Sequence, residues 1–469
     1  MAHEIRGVDG VAASDGLVPR PRVVVVGVGH GGLECVKALK GQPVDVLLVD
    51  RNNYHKFQPL LYQVATAGLD VGDITQAARH VLHGQDNADF RLATVTGLDA
   101  APNQITVLDG PPISYDSLVL AAGASTAYFG VEGAQEFGFP LKNVPDAVAL
   151  RSHILRQFEA ANRNPALVDE GALDVVVVGG GPTGVETAGA LRELFERVLT
   201  RDYPGLDVGR ARVVLVDGSD ELMTPYAPNL RAYTERELKE RGAEVRLGAN
   251  VLRVSPEGVV LDDGARIEAR TVVWAAGVRA NPLADELGVE QTSGGRVVVD
   301  DVLRVPGAPG VYAIGDLAGA SDASGELYPQ VAQVAIQQGR HVAAQILRDR
   351  AGLALEPFVY TDLGMMATIG RNAAILQLPS GFTLKGFVAW LGWALIHVLK
   401  LAGFQNKLSV MLSWAYNYVT YERGPRLILT AEPEHDDLAR PVLTAAPTAD
   451  ADSGVGGSHD PRLAAPPAA

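Results

Sequence analysis

The sequence predicts an α/β fold built from two units of one kind, and three observations predict it. A continuous β-branched run, a Gly-x-Gly-x-x-Gly and a helix-period stretch follow one another twice in the chain. Each occurrence leads to a hairpin signal and then to an apolar strand ending in Ala-Ala-Gly. Finally, 469 residues of which 47% are apolar and 20% charged suit a folded chain with two or three domains.

In the first unit, residues 23–26 are all valine, as expected of a parallel strand buried on both faces. The run ends in Gly27-Val28-Gly29-His30-Gly31-Gly32, followed by a helical stretch over 33–39 and a second strand over 44–49 that closes on Asp50. Gly27 permits a tight turn, Gly29 lets a pyrophosphate approach the backbone, and Gly32 lets helix and strand pack closely. The helix N-terminus offers free N–H groups and a positive dipole end to phosphate. Asp50 stands where an acid bonds ribose hydroxyls. Glycines at this spacing alone mark only a tight turn; in this order with strand, helix and acid they point to a dinucleotide. Cys35, on the same helix, reads as a small buried residue.

The second unit repeats the pattern over 173–217. Gly179, Gly181 and Gly184 form its turn, and Asp217 ends the strand after a longer helix. No basic residue follows Asp217 immediately, which favours NADH over NADPH because the acid repels a 2′-phosphate. The segments TVLDGPPISYDSLVLAAG and VVLDDGARIEARTVVWAAG each carry an Asp-Gly hairpin signal and end at Gly123 and Gly277. Those glycines read either as turns or as places where backbone crowds a cofactor. At 310–319, GVYAIGDLAG delivers Asp316 to the carboxyl end of a strand, where ligands of open α/β sheets collect. A helix-capping role is the alternative for Asp316. The second unit thus reads as inserted in the first, with one domain over 21–140 and 291–380 and the other over 141–290. Residues 1–20 read as a flexible leader with no signal peptide, and 431–469 as a disordered tail rich in Ala, Pro, Asp, Gly and Ser.

The net charge of −15, with no long basic stripe, argues against a nucleic-acid partner. A single cysteine excludes a disulfide framework, a thiolate metal cluster and a redox-active cysteine pair, and no metal site is expected. The region 381–430 stands apart. Residues 386–404 carry one ionised side chain, Lys400, yet Gly392, His397 and Lys400 interrupt the run, and a second amphipathic stretch follows over 408–419. Trp390, Trp393 and Trp414 fall here, and Lys385, Lys400, Lys407, Arg423 and Arg426 face one acid, Glu422. Such a pair suits the interface of an anionic bilayer. A dimerisation or core helix pair is the alternative reading.

Four stretches carry a narrower resemblance: DRNNYHKFQPLLYQVATAGL (50–69), Glu186 after GGGPTGV, AQVAIQQG (332–339) and GFVAWLGWALIHVLKLAGFQNKL (386–408). Over residues 21–429 the chain resembles the glutathione-reductase-like flavoproteins with two Rossmann-like dinucleotide-binding domains. More narrowly it resembles the type II NADH:quinone dehydrogenases, whose C-terminal amphipathic helices associate with the membrane. The resemblance implies that Gly27, Gly29, His30, Gly31, Gly32, Asp50, Arg51, Gly123 and Asp316 contact FAD, with Val95 near its adenine. It implies that the backbone at Ala335 and Ile336 approaches the flavin ring, where a helix N-terminus stabilises negative charge. Gly179, Gly181, Thr183, Gly184, Glu186, Asp217 and Gly277 would line the NADH site. Glu186, Gln333 and Gln337 would be the catalytic residues, the two glutamines bordering flavin and quinone.

Read without the family, Gln333 and Gln337 share a helical face and would pass for solvated residues. Glu186 would pass for an acid favoured by the macrodipole. The sequence departs from the commonest family pattern at Thr66-Ala67-Gly68, where many relatives have glycine directly after Ala-Thr. The implied activity is FAD-mediated electron transfer from NADH to a membrane quinone without proton pumping, on the cytoplasmic face of the membrane. The partners implied are a membrane quinone and an anionic lipid surface, with a homodimer left open. The rivals are a soluble reductase of a ferredoxin- or rubredoxin-type carrier and an NADH-sensing flavoprotein scaffold. A sulfide:quinone oxidoreductase would need paired cysteines.

Overall fold

The computed structural model describes residues 20–429 apart from 100 and 421, so the leader (Arg20 excepted) and the tail lie outside the described residues. Arg22–Val26 is the central strand of a five-stranded parallel sheet in the order Val311–Ala313, Ser117–Leu120, Arg22–Val26, Asp45–Asp50, Ala88–Leu92. Val175–Val178 is the centre of a second, in the order Gly138–Pro140, Thr271–Trp274, Val175–Val178, Val213–Val216, Glu244–Arg246. Four strands of the two orders match, and the outer one differs: Val311–Ala313 is the last of its sheet in the chain, Gly138–Pro140 the first of its. The valine runs exist because both faces of each sheet are covered. Val23 and Val25 enter one core with Val36 and Ile346, whereas Val24 and Val26 enter another with Leu118 and Val311.

Each half also carries a three-stranded antiparallel meander, Val95–Asp99 to Ile113–Ser114 and Val251–Ser255 to Arg266–Glu268, whose hairpins hold the two Asp-Gly pairs. The sheets exchange outer strands: Val311–Ala313 comes from beyond the second sheet, and Gly138–Pro140 from before it. The switch points therefore fall elsewhere than 140/141 and 290/291. Ala134 already shares a core with Val176 and Trp274, while Leu283 and Leu287 pack back on Val24 and Leu118. The chain crosses in an antiparallel ribbon, Ala124–Thr126 against Val278–Ala280, directly after Gly123 and Gly277. Each Ala-Ala-Gly ends a sheet strand and turns the chain sideways, so the crossing is tied to the repeat itself.

A third sheet, unforeseen in the sequence, is antiparallel: Met365–Gly370, Ala373–Gln377, Thr383–Gly386. It packs on the second unit, with Ala367 and Ile369 in one core with Val185 and Leu191. Gly189 makes this possible, since a Cβ there would stand 1.8 Å from the Ile369 carbonyl oxygen. The apolar run of 386–404 is shorter as a helix, Phe387–Lys400; Gly403 (φ 80°) turns the chain into Phe404–Thr420. No helix among the described residues is long and apolar enough to cross a membrane.

The outer face of this helix pair presents Phe387, Val388, Leu391, Leu395, Leu399, Phe404, Met411 and Leu412, all more than half exposed. Trp393 and Trp414, expected at that surface, turn inward, whereas Trp390 is half-buried and stacks on the exposed Phe387 at 5.9 Å. Trp393 is 2% exposed and stacks on Trp414 at 5.4 Å and His397 at 4.3 Å. Two of the five cations are also withdrawn: Arg423 is buried against Glu193, and Arg426 pairs with Asp202 at 2.8 Å. Aromatic stacking and buried ion pairs use these groups for docking the helices.

Candidate active site between two glycine turns and the C-terminal helices

A cavity of about 1780 Å³ opens between the first glycine turn, the start of the Pro182–Leu194 helix and the Phe387–Lys400 helix. It exceeds the roughly 300–1,000 Å³ of an ordinary small-molecule pocket. Gly27 (φ 111°) and Gly179 (φ 118°) take a conformation L-residues rarely adopt, and a Cβ would stand 2.3 and 2.5 Å from the carbonyl oxygens of Ala121 and Ala275. Gly32 and Gly184 lie behind the turns, a Cβ standing 1.9 and 1.8 Å from the oxygens of Gly27 and Gly179. Only the middle glycines, Gly29 and Gly181, face open space. Gly32 and Gly184, expected among the cofactor contacts, shape the turns and are not part of the cavity wall.

The acids repeat too. Asp50 accepts the N–H of Val28 at 2.8 Å and of Asn52 at 2.7 Å. Asp217 accepts the corresponding N–H groups of Gly180 and Ser219. Each carboxylate holds its glycine turn while keeping lone pairs for a ribose. The helices His30–Ala38, Pro182–Leu194 and Ala332–Arg350 all begin at the site with no side-chain cap, leaving N–H groups for phosphate or flavin oxygens.

Of the residues expected at FAD, Gly27, Gly29, His30, Gly31, Asp50, Arg51, Val95, Gly123, Asp316, Ala335 and Ile336 line the cavity. Thr183, Glu186 and Gln333 line it as well, whereas Gly179, Gly181, Gly184, Asp217 and Gly277 are not part of its wall. Gln337 also stands off the wall. Its amide donates to the Thr361 carbonyl at 2.8 Å and accepts the Thr361 N–H at 2.9 Å, pinning a strap without regular structure over 353–364. Asp316 pairs with Lys142 at 3.3 Å.

Glu186 accepts one backbone N–H, that of Thr368 at 3.2 Å, and burial pushes its carboxyl up to about 8. Burial likewise pushes the His30 imidazole down to about 3 and the His397 imidazole down to about 4, so both rings are neutral. The His397 Nδ1 lies 2.7 Å from the Trp393 carbonyl, which can only accept, so Nδ1 carries the proton. His30 meets Phe57 edge-on at 5.9 Å, and Phe57 meets His397 at 6.1 Å. Lys56 donates to the Lys142 carbonyl at 2.6 Å, and desolvation pushes its amine down to about 8. Tyr62, Lys56, Lys142, Tyr226 and His397 were not singled out for the cavity wall from the sequence. Tyr62 and Lys56 fall in the 50–69 stretch and His397 in the 386–408 stretch, whereas Lys142 and Tyr226 carry no such signal. The left-handed residue of that stretch is Ala67 (φ 55°), the position where many relatives carry glycine.

Residues 21–339 match the family model described as pyridine nucleotide-disulphide oxidoreductase. The type II NADH:quinone oxidoreductase Ndh of Mycobacterium tuberculosis is 39% identical over 421 residues, spanning 86% of this chain and 89% of that one. The chain belongs to the type II NADH:quinone oxidoreductases. An internal alternative NAD(P)H-ubiquinone oxidoreductase A1 of Arabidopsis thaliana mitochondria is 30% identical over 443 residues, covering 86% of each chain. The fold is also that of NDH2 from Plasmodium falciparum in complex with NADH, with a TM-score of 0.80 at 19% identity over 87% of this chain and 100% of that one. The disulphide in the wider family's description has no counterpart. Cys35, the one cysteine, is fully buried and its thiol is pushed up to about 12 by burial.

Proposed function

We propose that this chain oxidises NADH through a bound FAD and passes two electrons to a membrane quinone without pumping protons. The observation that carries the reading is a single cavity reaching from the first glycine turn to Ile396, His397 and Lys400 on the C-terminal helix. The residues fit FAD: an open Gly29, uncapped helix N-termini and Asp50 meet along one wall. FAD, when bound, accepts a hydride from NADH and delivers two electrons to the quinone.

The chain's own residues do the rest. Gly29 and the His30–Ala38 helix N-terminus hold pyrophosphate, Asp50 and Arg51 the adenosine end, and Asp316 the ribityl chain. The Ala332–Arg350 N-terminus places a positive dipole end at the wall beside Ala335 and Ile336, favouring negative charge there. Gly181, Thr183 and Asp217 bind NADH, and Asp217 repels a 2′-phosphate. Glu186, whose carboxyl keeps its proton at neutral pH, offers that proton into the cavity. Gln333 borders the reacting rings, and Gln337 keeps the 353–364 strap in place as the opposite wall.

The apolar outer face of the last two helices is far larger than scattered surface residues would give, and suits a bilayer interface. Lys385, Lys400 and Lys407 remain to meet anionic lipid on the cytoplasmic face. Flavin-loaded protein should oxidise NADH with a short-chain quinone; oxidation with a ferredoxin-type acceptor alone would sink this reading. A triple variant, Leu391→Glu, Leu395→Glu and Leu399→Glu, should stop flotation with anionic vesicles while the purified protein keeps its oligomeric state. Flotation that survives, with dissociation of a dimer, would reassign this face to pairing two copies.

A further inference from the structure

Trp414, on the Phe404–Thr420 helix, donates its indole N–H to Oε1 of Gln63 at 2.8 Å. An indole nitrogen cannot accept, so this bond fixes which end of the Gln63 amide faces it. The other end, Nε2, then has to donate, and it does so to the Tyr62 hydroxyl oxygen at 2.9 Å. The phenolic proton is thereby directed elsewhere, and among the described residues no protein group accepts it. Tyr62 is 6% exposed and lines the cavity together with Glu186, Met365 and His397.

We propose that Tyr62 is the hydrogen-bond donor that holds a quinone carbonyl oxygen in this cavity, with Gln63 and Trp414 as the positioning residues that aim it. The proposal rests on the quinone-reductase reading. A quinone carbonyl only accepts, so its seat needs a donor, and the neutral His397 has already spent its proton on Trp393. The carbonyl oxygen gains negative charge as electrons arrive, so a fixed donor there gains strength in the transition state. Burial raises the phenol well above its ordinary range, so it donates without ionising. The same helix is seated beside Tyr62 by Asn417, which donates to the Gly68 carbonyl at 3.1 Å, and by Asn406, which donates to that of Thr75 at 2.8 Å. Docking of the last helix and the aim of the phenol are thus one arrangement.

The test uses flavin-loaded full chain and a short-chain benzoquinone. Tyr62→Phe should lower kcat/KM for the quinone by about 10- to 100-fold, while anaerobic bleaching of the flavin by NADH stays within about twofold of wild type. Gln63→Glu keeps the hydroxyl but reverses its direction, because a carboxylate accepts from both the indole and the phenol. It should lose as much quinone kcat/KM as Tyr62→Phe, and the double variant should lose no more than either alone. A purely structural role would not make a carboxylate at 63 mimic loss of the hydroxyl at 62. Quinone kinetics within twofold of wild type in either single variant overturns the proposal. Wild-type protein that bleaches with NADH yet never reduces the quinone overturns the quinone-reductase reading itself.

Discussion

Glu34 and Glu186 occupy the same place in the two repeats, each two residues after the last glycine of its turn, and their chemistry is opposite. Burial alone would raise Glu34, but Arg340, donating from Nε at 2.9 Å and Nη2 at 2.6 Å, and Lys37 at 3.3 Å hold its carboxyl below the usual range. Among the described residues no cation pairs with Glu186. The third sheet covers it and returns one N–H, and burial takes its carboxyl up to about 8. The repeat supplies the same residue twice, and the element packed over it decides the chemistry. The Ala332–Arg350 helix neutralises one glutamate and ties it to the surface; the Met365–Gly370 strand leaves the other as a neutral acid.

The largest expected effect separates the two units altogether. Gly27→Val should yield protein without flavin, because its side chain would meet the Ala121 carbonyl and distort the turn. Gly179→Val should keep its flavin yet lose NADH-dependent bleaching by about 100-fold, the effect of roughly 3 kcal/mol of backbone strain. Flavin absorbance per chain and stopped-flow bleaching read the two outcomes. A Gly179→Val protein that also lacks flavin would mean that the halves fold as one cooperative unit.

Glu186→Gln comes next. Losing a positioned acid should cut quinone turnover by about 100-fold, with NADH bleaching nearly unchanged. The native carboxyl titrates at about 8, above its ordinary 4.5, so its proton is present at neutral pH and lost as pH rises through about 8. Quinone turnover of the wild type should fall across that window, and the residual activity of Glu186→Gln should not. Stability follows the same sign. The native state binds this proton more tightly than the unfolded chain, so the wild type loses stability as pH rises from about 4.5 to 8. Melting curves at pH 5 and pH 9 should therefore show the variant gaining on the wild type at the higher pH.

Both glycine turns, both acids and the valine strands were legible in the sequence because each is a local device. A turn needs glycine where a Cβ has no room, and a doubly covered strand needs an unbroken apolar run. The apolar outer face of the last helices was legible for the same periodic reason. What the sequence hid depends on distant partners. Trp414 meets Gln63 across 351 positions, and nothing local marks it as a docking residue. Tryptophan at a helix pair suits an interface or a core equally well, and here Trp393 stacks on His397 and on Trp414 within the pair. The third sheet escaped because Met365–Gly370 is held by packing on Gly189, not by any strand signal of its own. Gln337 shares a helix face with Gln333, yet its amide serves the Thr361 backbone.

Asp50 and Asp217 offer a gentler comparison. Asp217→Asn keeps an oxygen for the turn but gives up charge and one acceptor, so KM for NADH should rise about tenfold, the worth of one charge-assisted hydrogen bond. Discrimination against NADPH should shrink with it, while flavin content stays unchanged. The matching Asp50→Asn should alter flavin retention and leave the KM for NADH alone. A rise in that KM in both variants would show that the two acids do not serve separate nucleotides.

The smallest effect is expected at Glu34, and it tests the contrast between the glutamates most directly. Arg340 is largely solvated where it meets Glu34, so the pair contributes no more than about 0.5 kcal/mol. Glu34→Gln should therefore leave quinone turnover within about twofold of wild type and lower the melting temperature only slightly at pH 7. Its native carboxyl titrates below the unfolded one, so the stabilisation is present above the unfolded value and fades as pH falls through the native value. The gap between wild type and Glu34→Gln should close toward acid pH, whereas the gap for Glu186→Gln opens toward alkaline pH. If both variants shifted in the same direction with pH, the division of one repeated glutamate into a surface tie and a neutral acid would be wrong.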